Sequence, residues 1–87
     1  MYREPVAIVA ESLRGTVTVL PITSNVRFVA PFQVLLPAHE SGLGKESKAR
    51  AEQIRTVSVN RLGDYLGTLS SRTMWQIDYA LKLHLAL

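Results

Sequence analysis

The residues whose types could do chemistry are concentrated in one stretch. Between Lys45 and Arg61 stand Lys45, Lys48, Arg50, Arg55 and Arg61, against Glu46 and Glu52, and this surplus equals the net charge of +3 carried by the whole 87-residue chain. A local basic face neutralises phosphates and releases their counterions, so the stretch points to a nucleic-acid partner. A solvated loop and strand edge would have the same composition. Other chemistries find little support. There is no cysteine, which excludes a disulfide framework and a thiolate zinc site. The two histidines, His39 and His84, are far apart, and neither is expected to be catalytic. Glu40 and Glu46 flank a Gly-containing loop without the spacing of an acid/base pair. No Gly-rich phosphate loop, His-Glu-x-x-His or Gly-x-Ser-x-Gly occurs.

The elements that must position the basic stretch are mostly strands. Pro5 to Ala10 is a short β-branched apolar run and reads as a buried strand. Gly15 can take the positive φ of a turn. Thr16 to Leu20 then alternates polar and apolar residues, completing a hairpin. Pro21 and the polar run Thr23-Ser24-Asn25 mark the end of that strand. Phe32 to Leu36 is a third strand between Pro31 and Pro37, and Ala38 to Lys45 reads as a loop. Ser47 to Val57 is helix by composition but strand at its Ile54–Val57 end. Val59 to Gly63 suggests one short helical turn, and Tyr65 to Leu69 a further strand. The last element is the clearest. Ser70 or Ser71 can cap a helix, and Met74, Ile77, Leu81 and Leu85 repeat at helical spacing with His84 alongside. Trp75, Tyr79 and Leu83 add a second apolar strip, so this helix should face the sheet on one side and another surface, such as a second subunit, on the other.

The length allows one domain, residues 1–87, and a 47% hydrophobic content is high for so short a chain. The N-terminus has no basic region followed by an apolar run of about 7–15 residues, and no stretch approaches the roughly 18 apolar residues needed to span a bilayer. The expected location is the cytoplasm, with no membrane association. Strands followed by one terminal helix predict a mainly β domain, a small barrel or curled sheet with the helix packed on it.

Six segments, in order, carry a resemblance. They are Val19-Leu-Pro-Ile-Thr-Ser-Asn25, Pro31-Phe-Gln-Val-Leu-Leu36, Ala51-Glu-Gln-Ile-Arg-Thr56, Arg61-Leu62, Gly67-Thr-Leu69 and Ala80-Leu-Lys-Leu-His-Leu85. Together they resemble the MazF/PemK family, the toxins of type II toxin–antitoxin modules, from about Pro5 to Leu87. The resemblance implies an SH3-like small barrel with a C-terminal α-helix, a homodimer, and strand from Ala51 onwards. It implies a metal-independent, cofactor-free endoribonuclease that cuts single-stranded RNA, such as mRNA, at short sequences. It also implies a cognate antitoxin that lays an acidic tail over the RNA groove. Carried onto this chain, Thr23 in Pro21-Ile-Thr-Ser becomes the catalytic threonine and Arg3 its catalytic partner. Ser24, Asn25, Gln53, Arg55, Lys45, Lys48 and Arg50 become the residues that hold RNA.

The resemblance departs at the N-terminus. The family places a strand and a Gly-rich loop before the segment matching Pro5, so a barrel lacking its usual first strand is expected here. The family's arginine stands directly before that proline, where this chain has Glu4, with Arg3 one residue earlier. A one-residue slip along a strand turns the side chain to the other face. The alternative reading is a catalytically weak or inactive relative that dimerises and binds an antitoxin. A gyrase-poisoning toxin of the same barrel class fits less well, because its active end carries a Trp near the C-terminus and Trp75 lies far from Leu87.

Overall fold

The structure is a computed structural model and describes residues 4–87. Its strands are β1 (Val6–Glu11), β2 (Thr16–Thr23), β3 (Gln33–Leu36), β4 (Ser47–Arg50) and β5 (Arg55–Ser58), with a short helix α1 (Ala38–Ser41) and a long one, α2 (Ser71–Leu85). The strands form a curled antiparallel sheet in the order β1-β2-β4-β3, with β5 also paired to β2. The result is a half-barrel closed on one side by α2.

β2 organises the sheet, and its sequence explains how. Over Thr16–Val19 polar and apolar residues alternate, so Val17 and Val19 are buried while Thr16 and Thr18 are only partly so. From Val19 to Ile22 every residue is buried, because both faces of the strand are covered where the sheet curls. The Ile22 N–H donates to the Pro5 carbonyl, so the neighbouring Pro21 nitrogen points the other way, toward β4 and β5. Proline has no N–H to give there. The partner segment accordingly breaks away. Ile22 and Thr23 pair with Ala49 and Lys48, Val19 pairs with Arg55, and between them Leu20 and Pro21 face all of Arg50 to Ile54. The excess forms a 3₁₀ turn over Ala51–Gln53.

The core gathers Leu20, Leu36, Ile22, Val34 and Ala51 from the sheet side with Ile77 and Ala80 from α2. Burying Ile77 or Leu20 completely stabilises the fold by about 1.5–3 kcal/mol each. Ser70 caps α2, its hydroxyl accepting the Thr73 N–H at 3.1 Å. The opposite strip of α2 is bare: Trp75 and Tyr79 stack at 5.8 Å between ring centroids and, with Leu83, are exposed. His84 sits beside the Phe32 ring, 6.2 Å between centroids, at the helix margin.

Four expectations are corrected. β1 is an edge strand, not a buried one: of its residues only Ala7 is buried, and Ile8 is exposed. Strand begins at Ser47, and Ala51–Gln53 is a 3₁₀ turn rather than strand, for the reason Pro21 supplies. Residues 65–69 form no strand; they run without a ladder beside α1, their backbone pressed onto Gly42 and Glu40. Within the expected loop, Ala38–Ser41 makes one helical turn.

That turn holds Glu40, whose carboxylate accepts the Ser70 N–H at 2.8 Å. This hydrogen bond, helped by the Thr73 hydroxyl, holds the Glu40 carboxyl below its ordinary value. A depressed carboxyl contributes stability above its unfolded value, and that contribution is lost as pH falls through the lower folded value. Glu40→Gln should therefore melt earlier than the wild type at pH 7. The gap in Tm should close in acid, and a gap that is constant with pH would refute the linkage.

Candidate functional site

The end of β2 and the end of β4 meet over a cleft of about 370 Å³. Thr23 lies opposite Lys48, and Arg50 is two residues further along β4. Directly opposed residues, and residues two apart on a strand, share a face. Thr23, Lys48 and Arg50 thus project from one face, while Ile22 and Ala49 between them enter the core. Thr23, Ser24, Lys45 and Arg50 line the cleft, joined by Glu4 from the segment entering β1 and by Leu43.

The Thr23 hydroxyl accepts the Asn25 N–H at 3.2 Å, and Asn25 in turn accepts the Arg27 N–H through Oδ1 at 3.3 Å. These are turns of the kind that short polar side chains build. They occupy an acceptor site of Thr23 and leave its proton available to donate. Arg50 meets Glu4, Nη2 to Oε2, at 3.5 Å. Its Nε is buried and has no hydrogen-bond partner among the described residues. Lys45 is exposed at the cleft margin.

Some expected residues lie elsewhere. Lys48 is buried, and its ammonium donates to the Phe28 carbonyl at 2.6 Å. It pins the loop between β2 and β3 instead of offering a surface cation. Gln53 is exposed on the 3₁₀ turn and Arg55 on β5, with Arg55 Nε 3.5 Å from the Gln53 carbonyl; neither lines the cleft. The bulge opposite Pro21 separates them from Thr23. Arg3 lies outside the described residues. His39 is solvent-facing on α1. Charge and motif reading missed a second groove of about 650 Å³, which shares the Glu4, Pro5, Ile22 and Leu43 wall and continues under residues 62–69. Its one sequence signal was the Gly63 and Gly67 pair around Tyr65-Leu66.

This architecture can be compared with known proteins. Residues 3–85 match the family of PemK-like, MazF-like toxins of type II toxin–antitoxin systems. The chain belongs to that family. Over 74 residues, 85% of its length, this MazF-like chain is 51% identical to endoribonuclease MazF9 of Mycobacterium tuberculosis, and the match spans 63% of that relative, less than two thirds of it. The Mycobacterium tuberculosis toxin MazF-mt6 superposes with a TM-score of 0.84 at 27% identity, covering 97% of this chain and 87% of the other. A mycobacterial endoribonuclease in complex with its cognate antitoxin superposes at 0.83 with 30% identity, covering 97% and 82%. The MazF-like sheet and helix described above are the shared part.

Proposed function

We propose that this chain is the toxin of a type II toxin–antitoxin pair, a metal-independent endoribonuclease that cuts single-stranded RNA at a short sequence in the cytoplasm. The observation that carries the reading is the single cleft joining a half-buried threonine hydroxyl to Arg50 and Lys45. RNA brings its own nucleophile, the 2′-OH beside each phosphate. The enzyme has to align that oxygen in line with the P–O5′ bond, move one proton off it and one onto O5′, and stabilise the charge on the phosphorane-like transition state. Thr23 donates its proton to a non-bridging phosphate oxygen, and Arg3 is its catalytic partner. Ser24, Asn25, Lys45 and Arg50 hold the strand at the cleft, and Gln53 and Arg55 extend the contact beyond it.

The solved relative bound to its antitoxin supports a protein partner of the same kind here, and the bare Trp75–Tyr79–Leu83 strip supports a homodimer. A second reading, an antitoxin-binding relative without activity, is favoured by Glu4, whose carboxylate faces the cleft arginine where a phosphate would sit. Incubating the chain with a long single-stranded RNA, with and without EDTA, separates the two. Discrete cuts that persist in EDTA are expected. Intact RNA beside a folded protein would leave the antitoxin-binding reading standing.

A further inference from the structure

The Glu4–Arg50 contact is asymmetric. A full charge-assisted hydrogen bond between a guanidinium and a carboxylate closes to about 2.8 Å. Here the nearest approach is 3.5 Å and involves one nitrogen. The Arg50 Nε, buried and unpartnered among the described residues, adds a second donor that Glu4 does not use. A buried donor left unmade is costly. The two side chains also differ in what holds them. Glu4 is 55% exposed and can return to water, whereas Arg50 is 28% exposed, anchored at the end of β4 on the face that carries Thr23. Of the two, the carboxylate is the one that can leave. The planar fork of an arginine also suits two oxygens of a phosphate better than a single oxygen of a distant carboxylate.

We propose that Arg50 takes a phosphodiester of the bound strand, and that Glu4 is a built-in competitor which occupies Arg50 until the phosphate displaces it. The exchange is one anion for another at the same guanidinium, so it sets affinity without changing the chemical step. It rests on the RNA reading above and adds the residue that opposes RNA.

The test is a double-mutant cycle read as binding. The probe is a fluorescein-labelled single-stranded RNA with methylated 2′-oxygens, which can bind but cannot be cut. Glu4→Gln should tighten binding about fivefold, the scale of a partly exposed ion pair. Arg50→Gln should weaken binding and lower the slope of log affinity against log salt by about 0.7, one phosphate contact on a single strand. Added to Arg50→Gln, Glu4→Gln should then change affinity less than twofold, because the competitor has lost its target. If Glu4→Gln has no effect, or helps equally with and without Arg50, the exchange is wrong and the RNA reading survives. Should Arg50→Gln not fold, an absent effect of Glu4→Gln still overturns the exchange. If the folded wild type retains no RNA at all, the RNA reading falls and takes the exchange with it.

Discussion

Thr23→Val should slow RNA cleavage about a hundredfold or more, the usual loss when one preorganised donor to a developing negative charge is removed. Valine has nearly the shape of threonine and suits a strand equally well, so β2 should persist. What disappears is a hydroxyl that accepts the Asn25 N–H and, in the proposed mechanism, donates its proton to a phosphate oxygen. Losing the turn contact should lower stability by about 1 kcal/mol. Thr23→Ser keeps the hydroxyl and should retain most of the activity. Single-turnover rates on a defined RNA, at saturating protein, are the measurement. A Thr23→Val protein that cuts at the wild-type rate would remove Thr23 from the chemistry and limit it to the turn.

The largest effect on stability is expected at Gly42. Its φ is +70°, and a Cβ there would collide with the Leu66 backbone oxygen. That neighbour is main chain and cannot swing aside. Gly42→Ala should carry about 1–2 kcal/mol for the left-handed backbone and about 1–3 kcal/mol more for forcing the 65–69 segment away. Gly44 provides a matched control, since its φ is +78° and nothing lies within 4 Å of its Cβ position. Gly44→Ala should carry the backbone part alone. At about 4–8 °C per kcal/mol for a domain of this size, Gly42→Ala should lower Tm by roughly 8–40 °C and Gly44→Ala by roughly 4–16 °C. Equal losses would show that residues 65–69 are not seated on α1. An intact Tm in both would refute the left-handed backbone at these positions.

The local patterns that depend on near neighbours were readable in advance. The hairpin of β1 and β2 follows from an apolar β-branched run, a glycine turn and an alternating strand. α2 begins where a serine can cap it and buries Ile77, the centre of its stripe. The 47–57 segment is ambiguous because Ser47-Lys-Ala-Arg50 has a helix-tolerant composition; pairing with β2 and β3 overrides that preference. The 3₁₀ turn after it depends on a proline thirty residues earlier in the chain, which no local window contains. Residues 65–69 have the apolar content of a strand but dock through backbone against Gly42 and Glu40, a contact that leaves no periodicity. In the site, the basic stretch was visible as charge. Which of its members face the cleft was not, because that depends on register. Arg50 projects beside Thr23, Lys48 spends its ammonium on Phe28, and Arg55 lies beyond the bulge.

β2 takes part in both halves of the sheet, pairing with β1 over Val17–Pro21, with β5 over Thr16–Val19 and with β4 at Ile22 and Thr23. Proteins open in cooperative blocks, and a segment is released only when its whole block lets go. The strand that presents Thr23 is tied to β1, β4 and β5 at once, so its release is coupled to theirs. The walls of its cleft are of two kinds: Arg50 stands on the β4 ladder, whereas Glu4, Ser24 and Lys45 sit in stretches without one. The cleft thus sets a laddered threonine and arginine against flanks that no ladder holds. Under the proposed function, a partner that reshapes the cleft has those flanks to work on and leaves the sheet that carries Thr23 paired.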